Sequence, residues 1–143
     1  WDELRQSHRF TPSDTFRDLE ECEVFIVCLP TPVGPHNEPD MSFVMSAAES
    51  LANVVREGSL VVLESTTYPG ATEDELADVL VARSGLTIDE NVFLAYSPER
   101  EDPGNTKFAT QDIPKLVGGV GPHSGKLAEA FYRQGGFSSV VRV

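Results

Sequence analysis

Pro30-Thr31-Pro32, Ser65-Thr66-Thr67-Tyr68-Pro69-Gly70 and Ser97-Pro98-Glu99-Arg100-Glu101-Asp102-Pro103-Gly104-Asn105 each follow a short apolar run of strand character. Threonine hydroxyls donate to sugars and phosphates, carboxylates do acid–base work on water, and prolines hold a backbone still beside a ligand. In an open parallel sheet the C-terminal ends of the strands share one rim, and ligands bind in the crevice outside it. Gathered on such a rim, these segments read as a nucleotide site. The candidates are Pro30, Thr31, Pro32, Thr66, Thr67, Glu99, Arg100, Glu101 and Asp102.

The elements that must position them follow from hydrophobic periodicity. Val24 to Leu29, Leu60 to Leu63 and Val92 to Tyr96 are continuous apolar runs, the pattern of strands covered on both faces. Between the first two, Val44, Ala48, Leu51 and Val55 recur at helical spacing and predict a helix over Asp40 to Glu57, with Asp40 as its N-cap. A second helix is predicted from Thr72, with Glu75 completing a capping box, to a stop at Ser84-Gly85. A third begins near Pro122. Lys115 to Gly118 and Ser139 to Val143 read as short strands, and Arg9 to Thr11 with Ser13 to Glu21 as a small strand and a helical turn. Alternating strands and helices specify an α/β three-layer domain with a mainly parallel sheet. The irregular stretch from Pro98 to Pro114 is long enough to be functional in its own right.

The bulk composition narrows the class. At 143 residues, 40% hydrophobic and 24% charged, the chain is one ordinary globular domain's worth. A net charge of −12, with 11 basic residues against 23 acidic ones, excludes nucleic acid and anionic membrane as partners, because phosphate contacts need a clustered basic surface. No apolar stretch approaches the roughly 20 residues that span a bilayer, and Trp1 to Leu4 has no signal-peptide character, so a cytoplasmic location is expected. Cys22 and Cys28 are spaced too far apart for a redox or zinc knuckle and are expected as buried free thiols. Glu99, Glu101 and Asp102 lack a neighbouring histidine, and no metal is expected; His8, His36 and His123 are scattered and expected to be exposed.

A dinucleotide-binding domain opens with a strand, a G-x-G-x-x-G turn and a helix that receives the pyrophosphate. Nothing before Val24 offers it. Gly119-Val120-Gly121-Pro122-His123-Ser124 follows a strand, but Ser124 stands in the third glycine's place, and a plain strand-to-helix turn is the simpler reading. The chain therefore reads as a Rossmann-like domain lacking its first βαβ half.

Pro30 to Pro32, His36 to Asp40, Leu63 to Gly70, Tyr96 to Asn105 and Ile113 to Gly119, in that order, resemble the UDP-glucose/GDP-mannose dehydrogenase family, most of all its UDP-N-acetylglucosamine 6-dehydrogenase branch. The resemblance implies that residues 1–143 are the second half of an N-terminal NAD-binding domain. It implies an NAD-dependent oxidation of the C6 alcohol of UDP-N-acetylglucosamine, or a related UDP-sugar, to a carboxylate for polysaccharide precursors. It further implies the remainder of the dehydrogenase chain as a partner and a homo-oligomer when complete. By the same resemblance Pro30, Thr31, Pro32, Thr66 and Thr67 bind the cofactor, with Thr67 beside the nicotinamide. Glu99 is the catalytic residue that orients or deprotonates a water, the Thr67 hydroxyl can also hold a water, and Glu99, Arg100, Glu101 and Asp102 line the nucleotide-sugar site. The family's catalytic cysteine lies in a Gly-Gly-His-Cys context that neither Cys22 nor Cys28 occupies, so this chain alone is expected to be inactive.

The plainer readings are a hydroxyl-capped turn at Thr66-Thr67 and a solvated carboxylate at Glu99. The rival for the whole is a catalytically inactive remnant that acts at most as a binding or interaction module.

Overall fold

Val24–Val27, Leu60–Leu63, Phe93–Tyr96, Lys115–Gly119 and Val140–Arg142 form strands β1 to β5 of one sheet, and their spatial order is their chain order. The computed structural model describes residue 7, residues 9–99 and residues 113–143. The pairs β1–β2, β2–β3 and β4–β5 are parallel, and β3–β4 is antiparallel, with Tyr96 opposite Gly118. Parallel neighbours need a crossover, and three helices supply them: α1 (Ser42–Leu51), α2 (Ala77–Ser84) and α3 (Pro122–Gln134). The expected Rossmann-like three-layer domain with a mainly parallel sheet is what the chain forms.

Each face of the sheet has its own core. Phe25, Val27, Val61, Leu63 and Leu94 pack with Val44, Ala48 and Leu51 of α1 and Leu80 of α2. Leu60, Val62, Ala95, Val117 and Val140 pack with Ala128 and Tyr132 of α3. Strand β2 is buried at every position because helices cover it from both sides, as its continuous hydrophobicity requires. Strand β1 is not. It alternates, with Phe25 and Val27 buried and Ile26 45% exposed, because the α3 side packs mainly on β2 to β5 and meets β1 only at Val24.

Local chemistry moves several boundaries. Helix α1 is shorter than Asp40 to Glu57: after Leu51 the Asn53 amide donates to the Glu49 carbonyl and the chain tightens into turns. The N-cap position falls on Met41 and not on Asp40, which sits one residue before it and accepts the Ser42 N–H at 2.9 Å. The capping box at Thr72 does not form. Gly70, at φ 94°, launches π-helical turns over Ala71–Leu76, Thr72 is buried, and the Glu75 carboxylate accepts the Tyr68 hydroxyl instead. The stop at Gly85 stands, with φ 72° and its N–H on the Val81 carbonyl. Arg9 to Thr11 form no strand, and the helical turn contracts to a single 3₁₀ segment at Phe16–Leu19.

The Gly119–Ser124 turn carries an internal anion. Asp89 accepts the His123 N–H at 3.2 Å and the Ser124 N–H at 2.5 Å, so its carboxylate occupies the N-terminus of α3 where a phosphate would sit. Gly119 lies so close to Gly125 that a Cβ would meet backbone at 2.1 Å, which fixes the glycine for packing. This is a strand-to-helix turn. Burial would raise the Asp89 carboxyl, but the Ser124 and His123 N–H groups and the His123 charge hold it below the ordinary range.

Two outcomes follow from these observations. Asp89→Ala leaves the first turn of α3 uncapped and should cost about 1 kcal/mol in urea unfolding. A carboxyl depressed in the folded state stabilises fully above its unfolded pKa of about 4, so the gap to wild type should close as pH falls below that value. Strand β1 is the sheet's first strand, with its outer edge unpaired among the described residues and Ile26 exposed on one face. The isolated 143-residue chain should therefore self-associate, and a monodisperse monomer in sedimentation would show that the edge is protected.

Candidate active site

The rim is built outward from β1 and β2. Ser65, just beyond β2, accepts the Leu29 N–H at 2.7 Å and donates to the Val27 carbonyl at 3.3 Å. One buried hydroxyl thus stitches the ends of the two strands together and sets where the Pro30-Thr31 turn begins. On the far side, the Pro32 carbonyl accepts the Asp40 N–H, and Val33 bridges Pro39 to close a small loop. Ser97, beyond β3, donates its hydroxyl to the Leu116 carbonyl at 2.8 Å and its N–H to the Leu63 carbonyl at 3.0 Å. These cross-ties hold the three rim segments at a common level.

Beneath the rim lies a buried polar cluster. Glu64 receives the Lys115 ammonium at 2.7 Å, with Lys115 3% and Glu64 10% exposed. The Tyr132 hydroxyl of α3 donates to the same carboxylate oxygen, and the Cys28 thiol donates to the other at 3.4 Å. The ammonium also lies 5.0 Å from the centre of the Tyr132 ring and 5.7 Å from that of Phe137. Burial would raise the Glu64 carboxyl, but hydrogen bonds from Lys115 and Tyr132 and the Lys115 charge outweigh it and hold it low. Burial, then Glu64, pushes the Tyr132 hydroxyl up and keeps it a donor. The Cys28 thiol is pushed up to about 11, by burial first and the Glu64 charge next.

Pro30, Thr31, Thr66 and Glu99 line one cleft of about 360 Å³, together with Cys28, Leu29, Glu64 and Ser65. Thr67 sits apart from them. Its hydroxyl contacts the Met41 sulfur at 3.5 Å, and it lines a neighbouring cleft of about 460 Å³ with Tyr96, Gly118 and Gly119. Pro32 belongs to the small loop and is exposed. Arg100, Glu101 and Asp102 lie outside the described residues. Cys28 is exposed, contrary to the expectation of a buried thiol, because it follows the uncovered end of β1; Cys22 is half-buried. His36 and His123 are exposed, with His123 against Asp89, and His8 lies outside the described residues. Among the described residues, no group of three or more His, Cys, Asp or Glu side chains could hold a metal, and no helix is long and apolar enough to cross a membrane.

Glu64, Lys115 and Tyr132 had no role in the sequence reading. A signal was present: Glu64 and Lys115 are charges set directly against the apolar runs of β2 and β4. What the sequence lacks is their pairing, since 51 positions separate them and only the β3–β4 reversal brings them together.

A crevice at the C-terminal rim of a mainly parallel, helix-covered sheet, lined by threonines, prolines and carboxylates, defines a nucleotide-binding domain of the doubly wound class. The chain belongs to the UDP-glucose/GDP-mannose dehydrogenase family: residues 2–135 match the family's NAD binding domain, and NAD is the cofactor of that domain. It is 39% identical over 132 residues to a UDP-N-acetyl-D-glucosamine 6-dehydrogenase of Pseudomonas aeruginosa, covering 92% of this chain and 31% of the relative. It is 36% identical over 121 residues to a UDP-N-acetyl-D-mannosamine dehydrogenase of Pyrococcus horikoshii, covering 85% of this chain and 28% of the relative. The solved structure of the UDP-D-ManNAc dehydrogenase from Pyrococcus horikoshii superposes with a TM-score of 0.91 at 31% identity, over 99% of this chain and 34% of that one. The chain thus spans about a third of the length of these relatives.

The cluster sets a sharp expectation for thiol chemistry. A thiol of pKa about 11 holds far less thiolate at pH 8 than an ordinary one near 8.5, so Cys28 should alkylate roughly tenfold or more slowly than a model thiol, its exposure notwithstanding. Glu64→Gln removes the charge that raises it and should speed the reaction. Mass-spectrometric alkylation rates at Cys28 check both.

Proposed function

We propose that the polypeptide carrying this segment is an NAD-dependent UDP-sugar 6-dehydrogenase, acting on UDP-N-acetylglucosamine or a closely related UDP-sugar. Residues 1–143 form the second half of its N-terminal NAD-binding domain. The reaction converts a C6 alcohol to a carboxylate, consuming two NAD and one water and releasing two NADH and three protons. Its products are uronic-acid sugar nucleotides suited to polysaccharide synthesis, made in the cytoplasm by a homo-oligomer.

The observation that carries this reading is the convergence of Thr31, Thr66 and Glu99 on one cleft at the strand ends. The donor set suits one end of the cofactor in particular. Two hydroxyls fit ribose, and the Glu99 carboxylate favours the positive charge of oxidised nicotinamide, the Glu64 charge being taken up by Lys115. Among the described residues no Lys or Arg lines the cleft, and Asp89 already fills the N-terminus of α3, so the pyrophosphate is left to residues outside this set. When bound, NAD accepts the hydride from C6. The chain's own part is to hold the ribose against the rigid Pro30-Thr31 turn with Thr66 in the same cleft, to offer Thr67 to the nicotinamide from the neighbouring cleft, and to orient or deprotonate water with Glu99. Arg100, Glu101 and Asp102 follow Glu99 directly and are assigned to the nucleotide sugar. The catalytic thiol belongs to the remainder of the dehydrogenase chain.

The test uses the full-length polypeptide with NAD and, in parallel, UDP-N-acetylglucosamine, UDP-N-acetylmannosamine and UDP-glucose. Two NADH per sugar are expected, with the highest kcat/KM on an N-acetylated substrate. Glu99→Gln should lower kcat by about 10²- to 10⁴-fold with little change in the KM for NAD. Absence of both NAD binding and turnover in the complete polypeptide would leave the inactive-remnant reading in its place.

A further inference from the structure

Lys115 reaches past its ion pair. Its ammonium, 2.7 Å from Glu64, also lies 3.4 Å from the carbonyl of Pro98, the residue immediately before Glu99. On the other side of the same stretch, Ser97 is tied to β2 through the Leu63 carbonyl and to β4 through the Leu116 carbonyl. The segment that carries Glu99 is therefore held by one buried cation and two cross-strand hydrogen bonds, while Glu99 itself is exposed in the cleft.

A buried cation is a poor way to gain stability, because the cost of removing it from water rivals the attraction to its partner. It is an effective way to fix direction. The three donors of an ammonium can engage a carboxylate and a carbonyl at once, and an apolar side chain of the same volume would leave the Pro98 carbonyl without that contact. Glu64 in turn is anchored from three elements, by Lys115 of β4, Tyr132 of α3 and Cys28 beyond β1.

We propose that Lys115, oriented by Glu64, is the positioning residue that sets the Pro98–Glu99 backbone and thereby aims the Glu99 carboxylate into the cleft. The inference rests on the catalytic reading of Glu99. Lys115 is buried and does not line the cleft, and it acts through that residue.

The test is a double-mutant cycle in the full-length polypeptide, joined to crystal structures. Lys115→Met paired with Glu64→Gln removes both charges, so neither is left buried without its partner and the fold is kept. This pair should lower kcat at least tenfold, leave the KM for NAD within about twofold, and displace the Glu99 backbone by more than 1 Å relative to Thr66. Introducing the pair into the Glu99→Gln background should cost less than a further twofold, because the pair acts through the residue already lost. Lys115→Arg, which keeps a charged donor, should restore part of kcat. Losses that multiply in the cycle, or an unmoved Glu99 backbone, would overturn the proposal. If Glu99→Gln alone leaves kcat unchanged, the catalytic reading of Glu99 fails, and the crystal structures still decide whether Lys115 positions the segment.

Discussion

Lys115 brings a full charge to the start of a strand that the fold buries, and that burial is sustained only because Glu64 meets it at 2.7 Å. Several separate parts of the chain must be in place for the pair to exist: the end of β2, the antiparallel return of β4, and the α3 face that supplies Tyr132. Removing one partner would strand the other charge in a dry site, a loss on the order of 3–5 kcal/mol and a large share of a small domain's stability. Surface pairs such as Arg83–Glu49, half-exposed on both sides, are of a different order, at most about 1 kcal/mol. The rim of the site is thus built on the most demanding interaction among the described residues, and its geometry inherits that stringency.

The two faces of the sheet are unequally finished, and this divides the molecule functionally. Around β2 both faces are closed by helices, and the strand ends there carry Ser65, Thr66 and Thr67 on firm footing. At β1 one face is open and the outer edge is unpaired among the described residues, yet the turn that follows carries Pro30 and Thr31. Ser65 resolves the difference by bonding β1's end to β2's, so that the less supported turn borrows its position from the better supported strand.

Much of this was legible in the residues. Continuous apolar runs located β1, β2 and β3, helical spacing located the three crossovers, and the polar segments after the strands located the rim. What was not legible depends on partners distant in sequence. The capping box at Thr72 was a sound local pattern, but Tyr68 claimed Glu75 and Gly70 offered a different entry to the helix. Cys28 looked buried because β1's hydrophobicity says nothing about how far α3 extends. Thr66 and Thr67 are adjacent in sequence yet face different clefts, a separation set by the Met41 contact and invisible to motif reading.

The sheet's spatial order equals its order along the chain, so every strand finds its partner in the strand just before or just after it. Each described strand waits only for the next connection before it can pair, and the entropic cost of closing that loop grows slowly with its length. Such a sheet can grow one strand at a time as the polypeptide emerges from the ribosome, each new β–α unit docking on an edge already present. The order in which the cell synthesises this chain is then also the order in which it can assemble.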